Sequence, residues 1–565
     1  MQGTAETWDL SDTRTAPWYV RLFPSLTDFS FILPAFLLFV MLTGSKALLG
    51  DGDTGWHIRT GDWILEHKMV PTADFFSFTK PGQPWFAWEW GWDLLFAIVH
   101  RSWGLTGVVF LNVLLLCFIS ALLFRLIRRC SGDDFLAFLL TLVATCGCTI
   151  HWWARPHLFS WLFVLLFAHA ICSAEEGNQT ALHGLPLLTV IWTNIHGGFF
   201  IGISMLLASA VGETIRSLTN AECSWRDACV RARPYLLCAA GCILATFINP
   251  YTWHLHQHVY GYLLDSKLLN NIQEYESVSF HDAPVVFFEV MLLLGTASVL
   301  WCLQRGKVSA AVLTLVWAHL ALVSGRNVPI FLLLAAPWIA CMLRDALPRL
   351  RSVRILKTLS SAVASVSDEF RMFERLERVH VLSAAAAGVL AVLFASGRPG
   401  FAAEFDPLKF PAKAIPILQT SKNSKIFTYD QWADYLIYRL YPSTRVFMDG
   451  RSDFYGTELV SPYQHILSAR YDWETDLQRF NIDTVLVKAD APLATVLKQS
   501  RNWQMLIDDG HLIIFRSALR ESRPVFRESA RFSSVLRNGE NKLAALTGLQ
   551  VNSSGSKLKT QERRS

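Results

Sequence analysis

The stretch FSFILPAFLLFVMLTGSKALLGDGDTGWH, residues 29–57, decides how the rest of the chain is read. It opens with an apolar run over 29–49, close to the ~20 residues a helix needs to cross a bilayer. It ends on Asp51 and Asp53, placed where that helix leaves the lipid. Ionisable groups at such a depth are costly and are commonly kept for function. The run predicts a membrane span, and the acids predict a site at its outer end.

Working outward, ten more apolar runs follow, near 104–125, 134–149, 157–174, 185–195, 198–215, 234–248, 284–303, 309–324, 327–344 and 380–396. The 185–195 run, followed by Gly197 and Gly198, reads as a half-helix that reaches only mid-membrane. Composition agrees: 17% of the 565 residues are charged and 52% hydrophobic, where soluble domains carry about 25% charged residues. The expected fold is an α-helical polytopic membrane protein of about ten or eleven transmembrane helices, with a small C-terminal α/β soluble domain.

The net charge of +5 is small and its basic residues gather at membrane boundaries, which argues for lipid orientation and against a nucleic-acid partner. With the N-terminus inside, roughly nineteen Lys and Arg fall on the cytoplasmic side and about seven outside, as the positive-inside rule requires. The expected division is a cytoplasmic tail (1–28), a membrane module (29–344) with a large outside loop (50–103), a basic cytoplasmic linker (345–379), a last transmembrane helix (380–396), an outside α/β domain (405–518) and a disordered tail (520–565). In the α/β domain, 425–428, 445–448, 483–487 and 512–515 read as strands. The stretches 430–440, 458–468, 474–480 and 492–499 read as helices. All 11 cysteines lie between Cys117 and Cys341, in apolar runs or cytoplasmic loops, so no disulfide framework is expected.

The outside loop carries the chemistry. A DxD pair brings two carboxylates within reach of one divalent ion, although a helix cap with solvated charges explains the same letters. His57 and Arg59 follow closely, and then Trp85, Trp88, Trp90 and Trp92 surround Glu89. Aromatic faces with an interleaved acid suit a sugar ring; an interfacial aromatic belt is the alternative. Three outside turns supply further polar groups: HWWARPH (151–157) with Arg155 and His157, NIHGG (194–198) with Asn194 and His196, and GRN (325–327) with Arg326 and Asn327. Arg155 and Arg326 stand outside against the charge bias and need a partner. A bound phosphate would serve through bidentate contacts, and so would an ion pair with Asp51, Asp62 or Glu89. His254, His256 and His258 alternate, a spacing that shares a strand face but not a helix face, so metal binding there is not favoured. GxSxG, HExxH and P-loop patterns are absent.

On these motifs the chain resembles the GT-C superfamily of integral-membrane glycosyltransferases, and most of all the bacterial branch grouped with the lipopolysaccharide-core, aminoarabinose and protein-mannosyl transferases. The matching features are Asp51 and Asp53 after the first helix, Glu89 later in the loop, the three turns and an outer C-terminal domain. The chain departs from the branch's commoner acidic-aromatic continuation at Thr54, Gly55, Trp56 and His57. The resemblance implies an inverting transfer of a sugar from a polyprenyl-phosphate donor to a glycan, lipid or protein acceptor, in the bacterial inner membrane with the C-terminal domain periplasmic. It makes Asp53 the catalytic base and Glu89 its companion acid. Asp51, His57, Arg59, Trp88, Arg155, His157, Asn194, His196, Arg326 and Asn327 become substrate-binding candidates, and Asp51, Asp53 and Glu89 candidate ligands of a divalent metal. A non-catalytic reading, a lipid-glycan transporter or an assembly scaffold, keeps the same fold. A transporter wants charges running deep through several helices, whereas here they gather at one face.

Overall fold

A computed structural model describes residues 18–219, 223–350, 357–374, 378–421 and 423–518. The expected disordered tail, and most of the expected N-terminal tail, lie outside the described residues. Among the described residues eight helices are long and apolar enough to cross a membrane, and two more, Val308–Val323 and Val381–Ala395, are apolar but shorter. Helix Leu185–Ile195 has 11 residues and rises about 16 Å, roughly half of a ~30 Å hydrocarbon core.

Two of the expected runs differ in detail, each for a local reason. The first helix starts at Leu26 on a capping box in which Ser25 and Asp28 satisfy each other's backbone N–H. It ends at Met41, and the chain turns at Gly44, whose φ of +62° puts it in the left-handed region. The remaining apolar residues 45–49 thus form a separate turn that buries Leu48 and Leu49 fully. The second run grows to a 42-residue helix, Trp90–Ser131, broken at Trp103 and Gly104. At about 63 Å it is far longer than a bilayer. The part before Gly104 leans on helix Asp53–His67, where a Cβ on Gly61 would meet the Asp93 carbonyl at 1.9 Å.

The linker's helix, Lys357–Glu374, packs under the bundle: Ser367 Oγ donates to Asp133 at 3.2 Å, and Glu374 accepts the Leu26 N–H at 2.7 Å. The C-terminal domain, called the outer domain after the side the charge bias predicts for it, has a five-stranded sheet of β1 (Lys425–Phe427), β2 (Arg445–Val446), β3 (Thr484–Lys488), β4 (Trp503–Asp508) and β5 (Leu512–Ser517), in the order β2-β1-β3-β5-β4. The pairs β2–β1 and β1–β3 are parallel; β3–β5 and β5–β4 are antiparallel. Strand β4 was not foreseen, because an edge strand with mostly exposed side chains lacks the apolar run that announces the others.

The outer domain is fused to the membrane module. The loop after helix Asp53–His67 adds to the sheet edge, with the Val446 N–H donating to Phe76 O and the Phe78 N–H to Val446 O. One apolar core runs from Leu26 through the bundle to Trp432, Leu436 and Ile514.

Candidate functional site

The letters DGDTG are explained by what lies behind them. Helix Asp430–Leu440 of the outer domain crosses so close that a Cβ on Gly52 would sit 2.3 Å from the Gln431 carbonyl, and one on Gly55 2.6 Å from that of Asp434. The glycines allow the contact, while Asp51 and Asp53, 5% and 4% exposed, are left in a buried junction.

There the carboxylates gather on one guanidinium. Arg155 Nη1 lies 2.9 Å from Asp51 Oδ2, and Nη2 lies 2.7 Å from Asp53 Oδ2. Nη1 also pairs with Glu274. The turn that carries Arg155 is pinned on both sides of the acids, by the Ala154 N–H to Leu48 O at 2.9 Å and by Thr54 Oγ1 donating to Ala154 O at 3.0 Å. Burial pushes Asp53 up to about 7 against the pull of Arg155. Burial would raise Glu274 too, but the pull of Arg155, with lesser help from His151 and Arg326, together outweighs it and brings that carboxylate down to about 2.

Asp53 has a second neighbour. Its Oδ1 and Asp434 Oδ2 lie 2.2 and 2.9 Å from the point where a Cβ of Gly450 would sit, and neither has a partner other than the facing carboxyl. The Gly450 N–H donates to Asp434 Oδ1 at 3.0 Å. Burial and the facing Asp53 raise Asp434 well above the usual carboxylate range.

Glu89 occupies a different pocket. One oxygen is 3.8 Å from His57 Nε2 and the other 3.8 Å from His196 Nε2. His57 Nδ1 is 2.5 Å from Asp93 Oδ1, and its Nε2 faces Glu89. His196 Nδ1 accepts from the Gly198 N–H and Ser160 Oγ at 3.1 and 2.7 Å, which puts its hydrogen on Nε2, facing Glu89. Burial pushes Glu89 up to about 8 and His196 down to about 3, so at neutral pH the acid is protonated between two neutral imidazoles.

Both acid groups line one cleft of about 660 Å³. Phe200, Ile201, Trp317, Leu320 and Ile330 come to it from the membrane helices, and Asp430, Gln431, Ser452, Asp453 and Gln464 from the outer domain. Of the sequence candidates, Trp88, His157, Arg326 and Asn327 also line it. The Arg326 guanidinium lies 4.7 Å from the centre of the Tyr275 ring and has no ion pair among the described residues. Three candidates do not line it, and the first, His57, is buried behind Glu89 against Asp93. Arg59 donates from Nε to Tyr438 O at 2.9 Å, holding the outer domain, because its helix position points away from Asp53. Asn194 is spent on the backbone, donating to Ile248 O at 2.8 Å, while its Oδ1 takes the Trp90 indole N–H. Arg451, in the outer-domain turn, is buried against Asp449 and Asp74 at 2.7 and 2.6 Å. The alternating histidines diverge on helix Trp253–Leu264: His256 meets Thr246 Oγ1, and His258 meets Asp453.

The expected metal set does not fit a divalent ion. Among the described residues only His465, Asp472 and Asp476, on the outer domain, bring three ligand atoms within 4.8 Å of one another. The point where Asp51 and Asp53 converge holds Arg155, and Glu89 faces imidazoles. Sequence reasoning missed Glu274, which a three-residue turn, Gln273–Tyr275, delivers from the 249–283 loop; no motif marks it. It also missed Asp93 behind His57, which the i, i+3 spacing from Trp90 hides among tryptophans.

No family model matches the chain, and no curated protein matches it. Among solved structures it is similar to the oligosaccharyltransferase of Archaeoglobus fulgidus tethered to an acceptor peptide containing the NVT sequon. The TM-score is 0.50 at 10% identity, over 82% of this chain and 69% of that one. It is similar also to archaeal oligosaccharyltransferase AglB from the same organism in complex with an inhibitory peptide and a dolichol-phosphate, with TM-score 0.51 at 10% identity over 89% and 74% of the two chains. At such identity the likeness is one of fold: this chain is a multi-pass membrane protein that shares its helical architecture with these two structures and carries a small C-terminal sheet.

Proposed function

We propose that the chain is an inverting membrane glycosyltransferase that moves a sugar from a polyprenyl-phosphate donor to an acceptor hydroxyl on a lipid, glycan or protein. The observation that carries this reading is the cleft itself, apolar where the membrane helices line it and acidic where the outer domain does, with Asp53 at the junction. The prenyl chain lies between the helices, and Arg326, the cation without a carboxylate, takes the phosphate. The acceptor oxygen attacks the anomeric carbon as the carbon–phosphate oxygen bond breaks. Its proton passes to Asp53, which Arg155 orients and whose value of about 7 suits a base at neutral pH. A single displacement inverts the anomeric centre, and the phosphate leaves with the electron pair.

The experiment is a cell-free transfer assay with a panel of polyprenyl-phosphate sugars. Asp53→Asn keeps the shape and removes the basicity, so it should cost about 10²–10⁴ in rate, and Asp51→Asn less. Transfer by Asp53→Asn at the wild-type rate removes the assignment; no transfer from any donor favours the non-catalytic reading.

We further propose that the basic segments face the cytoplasm and the outer domain the far side of the membrane, as the charge bias supports. Reporter fusions at Ser360 and Ser421 should report opposite compartments, and the same compartment for both would reverse this placement.

A further inference from the structure

Three carboxylates reach Arg155 from two distant segments, Asp51 and Asp53 from the end of the first helix and Glu274 from the 249–283 loop. Asp51 and Asp53 are buried and Glu274 is half-buried in the cleft, around a side chain that is itself only 20% exposed. An oxygen-only donor set of this kind is what a hard divalent cation takes. A planar guanidinium meets the same need differently: its fixed fork serves Asp51 and Glu274 through Nη1 and Asp53 through Nη2. That fork spreads the three acids. No three acids of the cleft have ligand atoms within 4.8 Å of one another among the described residues. The backbone of the turn that carries it is clamped by hydrogen bonds to Leu48 and Thr54, on either side of the acid pair, which sets the guanidinium's root beside the acids. An added divalent ion would have to compete with that positive charge for the same oxygens.

We propose that the Arg155 guanidinium is the resident cation of this centre, standing where three carboxylates would otherwise gather a divalent metal, so that the site is organised without one. The consequence for transfer rests on the glycosyltransferase reading, but the proposal is tested without any substrate.

Purified full-length protein in detergent is titrated with Mn²⁺, and the free ion is followed by electron paramagnetic resonance. Wild type and Asp51→Asn should titrate alike, with any uptake by the surface group His465, Asp472 and Asp476 common to both. Arg155→Gln should gain one further site that Asp51→Asn in the same chain abolishes, and Mn²⁺ should raise the melting temperature of Arg155→Gln alone. Uptake by the wild type that Asp51→Asn removes would overturn the proposal, and so would a folded Arg155→Gln with no added site. If Arg155→Gln does not fold, the comparison of wild type with Asp51→Asn decides by itself: identical titrations support the proposal and a site lost with Asp51 overturns it.

Discussion

At one end of the cleft Asp51, Asp53 and Glu274 are held by a guanidinium; at the other Glu89 stands 3.8 Å from each of His57 and His196, which carry no charge. Both groups face the problem that an isolated carboxylate cannot be buried cheaply. The first keeps charge and pairs it, leaving one acid, Asp53, pushed up to about 7 by burial against the pull of Arg155. The second keeps the proton and stays neutral. The difference teaches which acid can accept a proton during a reaction at neutral pH. Asp53 is the acid suited to accept a proton, whereas Glu89 already holds one.

The strongest way to break this contrast is to remove the cation. Arg155→Met leaves three buried acids around an apolar side chain, and breaking a buried pair in this way typically costs about 3–5 kcal/mol. Glu89→Gln instead replaces a neutral group by another of the same shape, and should cost no more than about 1 kcal/mol. Denaturation of the two variants in detergent, followed by tryptophan fluorescence, measures both. Equal losses would mean that the two ends are not held by different means.

The sequence announced these two groups unequally, for physical reasons. Hydropathy marks residues that meet lipid, so every expected apolar run is helical, including the half-length Leu185–Ile195. It is silent on the first part of helix Trp90–Ser131, whose residues before Gly104 alternate between the Asp53–His67 helix and water. The acid pair, Arg155 and the NIHGG and GRN turns stood out because polar residues next to apolar runs are conspicuous. Glu274 did not, since an acid in a polar loop is ordinary until the fold carries it beside Arg155. Nothing in the sequence tells what Gly52 and Gly55 are for; their use is the approach of helix Asp430–Leu440, which is hundreds of residues away in the chain. Arg59 and Asn194 show the converse failure. Proximity to a motif along the chain does not make a side chain point into the cleft, and helix phase sends both to structural partners.

The finest test of the contrast uses pH, because the two ends should pull stability in opposite directions. Glu274 has its value lowered from 4.5 to about 2, so its contribution is fully present above about 4.5 and is lost as pH falls through about 2. Glu89 has its value raised from 4.5 to about 8, so its contribution is fully present below about 4.5 and is lost as pH rises through about 8. Between those limits the folded protein holds a proton at Glu89 that the unfolded chain has released, which makes stability fall with rising pH. Glu89→Gln should therefore flatten the alkaline decline of the melting temperature and leave the acid side unchanged. Glu274→Gln should do the reverse, removing part of the acid-side loss while lowering the plateau near neutrality, since Arg155 then has one charge fewer to pair with. The shifts are a few degrees, read from melting curves of the detergent-solubilised protein across the pH range. Displacement of both variants on the same side of neutrality would mean that Glu89 is paired as a carboxylate after all, and the acid at that end of the cleft would then rejoin Asp53 as a candidate base.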